Sequence, residues 1–168
     1  FSIDGIDLYS YGNGNIFGFG GGNAYIIDTE TETAEAVASA GDNYGAVLHS
    51  GNEICLLSDG SDRQIEIFDC ETYGLRRINT DVSHIGKSVY FGNGYFAIGN
   101  KLYNTANGRL TVEFCADSAV TVLDEKLFTA NEIIDIQTGK TLGSFPYPVS
   151  DIAWTDDKTY IYGLDGTV

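Results

Sequence analysis

One four-strand pattern recurs four times along the chain and begins a fifth time, and this repetition restricts the fold more than any single residue does. Residues 11–20 read YGNGNIFGFG and residues 91–100 read FGNGYFAIGN: an aromatic residue, a Gly-Asn-Gly turn, a short apolar strand and a glycine or asparagine exit. The unit returns as HSGNEICLLS at 49–58, VLDEKLFTAN at 122–131 and WTDDKTYIYG at 154–163. In the last two, Asp124-Glu125-Lys126 and Asp156-Asp157-Lys158 replace glycine and asparagine. Both choices serve a tight hairpin, because glycine and asparagine accept the positive φ of a two-residue turn and aspartate bonds to nearby backbone.

A third strand follows each hairpin, at 25–31, 65–72, 102–108 and 133–139, and ends in a polar turn. A fourth comes after it, at about 33–39, 74–80, 110–114 and 141–145. The markers Asp28, Asp69, Asn104 and Asp135 are 41, 35 and 31 residues apart. Twenty-one glycines against two prolines and no methionine speak against helices, which glycine weakens. A period of that length made of four short strands predicts an all-β protein, a β-propeller of four-stranded antiparallel blades. Four complete blades are expected near residues 6–39, 46–80, 88–114 and 119–145, with a partial fifth at 152–168, in a single propeller domain or propeller segment over 1–168.

The stretch EIIDIQTGKTLGSF at 132–145 resembles the repeat of pyrroloquinoline-quinone-like (PQQ-like) propellers, with Asp135, Thr138, Gly139 and Lys140 on its turn. LYNTANGRLTVEF at 102–114 is similar, with Asn104, Gly108 and Arg109 in those roles, whereas the first two repeats keep Asp28 and Asp69 and lose the glycine. The tryptophan on which that family's blades dock is absent, and the same turn grammar also resembles WD-repeat-like propellers. The resemblance implies the fold and not the cofactor. Joining the two ends of the chain gives GTVFSIDG, which reads as one unbroken third strand. The ends therefore meet in a five-bladed ring, or the chain is a segment of a larger propeller, the reading that its opening in mid-repeat favours.

Nine Lys and Arg against 24 Asp and Glu leave a net charge of -15, which repels phosphate backbones and anionic lipid. No nucleic acid partner is expected, and no apolar run reaches the ~20 residues of a membrane span. Cys55, Cys70 and Cys115 have neither a disulfide framework nor zinc spacing, and Cys55 reads as a buried free thiol. Unpaired thiols favour the cytoplasm, while the charge and the resemblance favour an extracytoplasmic site, so the compartment stays open.

No catalytic constellation and no metal site emerges, and no cofactor is expected. His49 aligns with Tyr11 and Phe91 at the end of a first strand and reads as structural; His84 has no nucleophile tied to it. Asp59 and Asp62 lack EF-hand spacing, and the glycine-rich run at 18–22 reads as a flexible blade turn without the helix a phosphate cradle needs. Binding residues are instead expected on the loops between blades, where Asp42, Tyr44, Asp81, His84, Asp117, Tyr147 and Asp151 make an acidic, tyrosine-bearing rim. The function read from this is a non-enzymatic binding or scaffold module for a protein partner, a basic one by the charge of the rim, within a larger polypeptide or assembly. The alternatives are a quinone- or metal-dependent enzyme of the quinoprotein type and a glycan-binding propeller.

Overall fold

The computed structural model describes residues 5–6, 8–42, 44–58, 64–79, 89–115, 119–154 and 159–163. They form eighteen strands and no helix, so among the described residues no helix is long and apolar enough to cross a membrane. The chain packs as two compact units, Phe1–His84 and Ile85–Val168.

The first unit holds two antiparallel meanders. One runs β1 (Leu8–Gly12), β2 (Asn15–Gly20), β3 (Asn23–Asp28), β4 (Thr33–Ser39), and the other β5 (Tyr44–Ser50), β6 (Glu53–Ser58), β7 (Gln64–Asp69), β8 (Leu75–Asn79). The second unit holds β9 (Val89–Gly92), β10 (Tyr95–Ile98), β11 (Lys101–Asn104), β12 (Leu110–Glu113), and then β13 (Ala119–Leu123), β14 (Lys126–Thr129), β15 (Glu132–Asp135), β16 (Thr141–Ser144). A two-stranded sheet, β17 (Val149–Trp154) with β18 (Thr159–Gly163), completes it.

Turn chemistry explains why the strands break where they do. The first hairpins turn on Asn13-Gly14, Asn93-Gly94 and Asp124-Glu125, and all six residues have φ between 47° and 80°. After the third strand the marker residue caps the turn through its side chain. Asp28 Oδ1 accepts the Glu30 and Thr31 amides at 2.8 and 3.1 Å, Asp69 Oδ1 those of Glu71 and Thr72 at 2.9 and 2.8 Å, and Asn104 Oδ1 that of Ala106 at 2.9 Å. Asp135 Oδ1 accepts both the amide and the hydroxyl of Thr138 at 2.7 Å. These donors, from Thr31, Thr72 and Thr138 foremost, hold the Asp28, Asp69 and Asp135 carboxyls below the usual aspartate range. The stabilisation they supply is present above the unfolded carboxyl's pKa and is lost as pH falls through the lowered folded value.

The glycine missing from the first two repeats has a structural counterpart. Four residues after the marker the backbone is left-handed in every complete sheet, at Glu32 (φ 54°), Tyr73 (φ 58°), Gly108 and Gly139 (both φ 68°). Glu32 is exposed and bears the left-handed cost without compensation from packing. Replacing Glu32 by glycine is expected to raise stability by about 1 kcal/mol in a urea titration. Tyr73→Gly, by contrast, is expected to destabilise, because Tyr73 stacks on Phe68 at 6.4 Å and 11°.

Each sheet buries its faces against the next sheet of its unit. Between the first two sheets lie Phe17, Phe19, Ala24, Ala40, Ile54, Leu56, Phe68 and Cys70. The third and fourth sheets share Ala97, Leu102, Val112, Phe114, Val122, Leu127, Ile134 and Ile136, and Phe128, Val149 and Ile152 join the fourth to the two-stranded sheet. One expectation needs correction: the glycine-rich run at 18–22 is not one flexible turn. Gly18 and Gly20 belong to β2, and only Gly21 and Gly22 turn, at φ 55° and 78°. Gly18 is small for a packing reason, since a Cβ there would lie 2.7 Å from Ile6 Cγ2 and 3.0 Å from Ile27 Cδ1. Cys55 and Cys70 are buried and unlinked.

Candidate functional site

The loops joining one sheet to the next were expected to carry the binding residues, and the structure describes two of them in detail. The first connects β4 to β5, and its described residues are Ala40, Gly41 and Asp42. Ala40 donates its amide to Gly22 O at 2.9 Å, which ties the loop to the β2–β3 turn. Asp42 is exposed, with its carboxylate about 4 Å from where a Cβ on Gly22 would stand.

Tyr44 has a different role. It is half-buried at the start of β5, edge-on to Phe19 at 6.5 Å, and its hydroxyl donates a short hydrogen bond to Glu66 Oε2. Glu66 sits in mid-β7, only 2% exposed. Its Oε2 also accepts the Gly41 amide at 2.8 Å, and its Oε1 accepts Arg77 Nε of β8 at 2.5 Å. A buried carboxylate must be matched by donors, and here a backbone amide, a phenol and a guanidinium supply them. Burial pushes the Tyr44 hydroxyl far above its ordinary pKa, and its hydrogen bond to Glu66 adds to this. Its own hydrogen bond to Glu66 raises Arg77. Glu66 was not singled out in the sequence; the available signal was a lone acid sharing the β7 face with Phe68, since alternate residues of a strand point the same way.

The second loop, residues 145–148, connects β16 to β17 in the other unit. Phe145, Pro146, Tyr147 and Val149 line an open cleft with Ile161 and Gly163 of β18, about 220 Å³ in volume. Tyr147 is 61% exposed. Asp151, also exposed, accepts the Ile152 amide on its Oδ1 at 2.8 Å. Tyr147 and Asp151 therefore flank one short strand start, as Asp42 and Tyr44 flank another. The cleft itself was missed in the sequence, because Ile161 reaches it from β18, which only its pairing with β17 brings alongside. Asp81, His84, Asp117 and the Asp59–Asp62 cluster lie outside the described residues.

Cys55 and Cys70 are buried thiols, whereas Cys115 is free and exposed. Burial pushes the Cys55 thiol up to about 12 and the Cys70 thiol up to about 11, which keeps both protonated and poorly nucleophilic. His49 is exposed on β5, and its Nε2 lies 3.5 Å from a Cβ built on Gly12, beside Cys70 Sγ at 2.5 Å.

The backbone aligns with the computationally designed Ika8 protein at a TM-score of 0.56 and 17% identity, over 96% of this chain and 56% of that one. A chain in the mitotic checkpoint complex gives 0.55 at 12% identity, over 95% and 59%. BamB from Moraxella catarrhalis gives 0.50 at 15% identity, over 95% and 60%. The fold is a β-propeller's. Four complete blades and a partial fifth are the four meanders and the two-stranded sheet, as the repeat predicted. The chain spans somewhat more than half the length of each of these structures. Neither a protein-family model nor a curated protein matches the sequence.

Proposed function

We propose that this propeller is a non-enzymatic binding module for a protein partner, with repeat turns of the PQQ-like type, and that the loops between blades carry the contact. The observation that carries the reading is the β16–β17 loop, where an exposed tyrosine stands over an apolar cleft with a carboxylate close behind it in the chain. Loops held on a rigid sheet scaffold are where binding residues concentrate, and aromatic side chains dominate binding energy at protein interfaces. A complex that includes a chain of similar fold, the mitotic checkpoint complex, accords with this use of the architecture.

Charge points to the kind of partner. At -15 overall, with Asp42 exposed on the first loop and Asp151 exposed on β17 just after the second, the molecule attracts basic surfaces and repels acidic ones. By sequence, Asp81, His84 and Asp117 belong to the same set of loops. Tyr44 serves that set indirectly, by bracing the loop that carries Asp42.

The test compares proteins retained by the wild-type chain with those retained by a variant carrying Asp42→Ala, Tyr147→Ala and Asp151→Asn. Asparagine at 151 keeps the oxygen that accepts the Ile152 amide, so the fold is spared. Partners enriched by the wild type are expected to be lost from the variant, and the loss should shrink in high salt as screening weakens the acidic contribution. Identical retained sets would remove the interblade loops from the function.

A further inference from the structure

We infer that the cleft between the hairpin turns of the third and fourth blades is a seat for an arginine side chain presented by a protein partner. It goes beyond the loop contact, because β13 leads from the interblade loop at its start to this turn at its end, which places the cleft at the opposite end of the strand. Asn93 and Tyr95 line it from one blade, and Val122, Leu123, Asp124 and Glu125 from the other, around a volume of about 350 Å³. Both blades are complete four-stranded sheets. The floor of the cleft is held from across the blade boundary. Val122 lies on β13, the edge strand of its sheet, and the third blade supplies the partners that a further strand would. Tyr90 Oη accepts the Val122 amide at 3.1 Å, and Asn93 Nδ2 donates to Val122 O at 2.6 Å. The cleft is therefore formed before any occupant arrives.

Charge and shape select the occupant. Asp124 and Glu125 are exposed, and no cation lines the cleft with them. The adjoining Lys126 stands opposite Asp135 in the β14–β15 register, so its charge is directed to that carboxylate. Gln137 Nε2 donates to Glu125 Oε2 at 2.7 Å, which orients the second carboxylate of the cleft. Tyr95, partly buried against the core that the two blades share, supplies an aromatic wall. Carboxylates beside an aromatic face suit a guanidinium, which is planar, always charged, able to bond a carboxylate through two N–H groups and able to lie on a ring. An ammonium has the charge without the plane or the fork. The volume stands near the lower end of the about 300–1,000 Å³ of ligand pockets, room for one such side chain with its stem. Free arginine would bring its own carboxylate into the field of a chain with net charge -15, whereas a side chain within a peptide does not.

The experiment follows the Asn93 side-chain amide and the Tyr95 backbone amide by NMR while the full chain is titrated with end-blocked tripeptides. These are GRG, GKG and the same peptide with citrulline, uncharged and nearly isosteric with arginine, at its centre. GRG is expected to give saturable shifts at both amides, GKG to bind about three-fold more weakly, and the citrulline peptide to give none. Asp124→Asn with Glu125→Gly copies the Asn93-Gly94 turn of the third blade, which has the same left-handed backbone, so both charges go while the hairpin is kept. This variant should bind GRG at least ten-fold more weakly. Tyr95→Leu should weaken GRG about three-fold and erase its advantage over GKG. The variant with Asp42→Ala, Tyr147→Ala and Asp151→Asn should bind GRG as the wild type does, so this seat and the loop reading fail separately. Absence of saturable shifts with GRG, equal binding of GRG and GKG, shifts from the citrulline peptide, or unchanged affinity in the turn variant would overturn the seat.

Discussion

Replacing Phe68 by alanine is expected to cost the first unit about 3–5 kcal/mol, the range for deleting a fully buried aromatic ring. Phe68 is wholly buried at the centre of the interface between the first two blades. Its ring meets Phe17 edge-on at 5.1 Å and Phe19 edge-on at 5.6 Å, and it lies parallel to Tyr73. Truncation would leave these three rings facing a void that strands held in register cannot collapse to fill, because β7 pairs with both β6 and β8 along its length. A domain is stable by only about 5–15 kcal/mol in total, so the variant should unfold at a much lower urea concentration. Phe68→Leu keeps most of the volume and should recover more than half of the loss. An Ala variant within 1 kcal/mol of wild type would show that the two blades do not depend on this aromatic cluster.

Phe68 also shows what could be read from the sequence and what could not. Repetition and turn residues act over a few positions, so the strands, their order and the polar turns marked by Asp28, Asp69, Asn104 and Asp135 were legible, whereas the side-chain caps on those turns came only with the structure. The left-handed Glu32 and Tyr73 were not, because the backbone imposes that conformation after the capped turn whether or not glycine is present. Among the candidate residues, the exposure of Asp42 and Tyr147 follows from their position on loops, while Asp151 is exposed within β17. Tyr44 carries the same loop signature, yet it turns inward because a carboxylate 22 residues later lies within its reach. Contacts of that sequence separation leave no local trace. The apolar cleft was hidden for a similar reason: its walls come from the 145–148 loop, β17 and β18, and only the sheet brings them together.

The same long-range contact makes Glu66 the most informative polar substitution. Glu66→Gln is expected to destabilise the first unit by about 2–3 kcal/mol although it is nearly isosteric. With the amide oxygen in place of Oε2, its NH2 group faces Arg77 Nε–H; with the amide reversed, it faces the Gly41 amide. Either orientation sets two donors against each other. The lower end of the range for a broken buried pair applies because Arg77 is half exposed, with 52% of its side chain accessible, and water takes over its guanidinium. Glu66→Leu combined with Tyr44→Phe removes the carboxylate and the phenol together, so it should be less destabilising than the two single losses added, a coupling that a double-mutant cycle reads directly. The pH dependence adds an independent readout. Burial and the bond to Glu66 raise the folded pKa of Tyr44 above its unfolded value near 10. Stability from this phenol is thus fully present below pH 10 and is lost progressively as pH rises toward the folded pKa, because only the unfolded chain ionises readily there. Urea midpoints of the wild type should fall between pH 9.5 and 11 more steeply than those of Tyr44→Phe, about one proton's worth of slope apart; parallel profiles would mean that the Tyr44 hydroxyl is not held by Glu66 in solution.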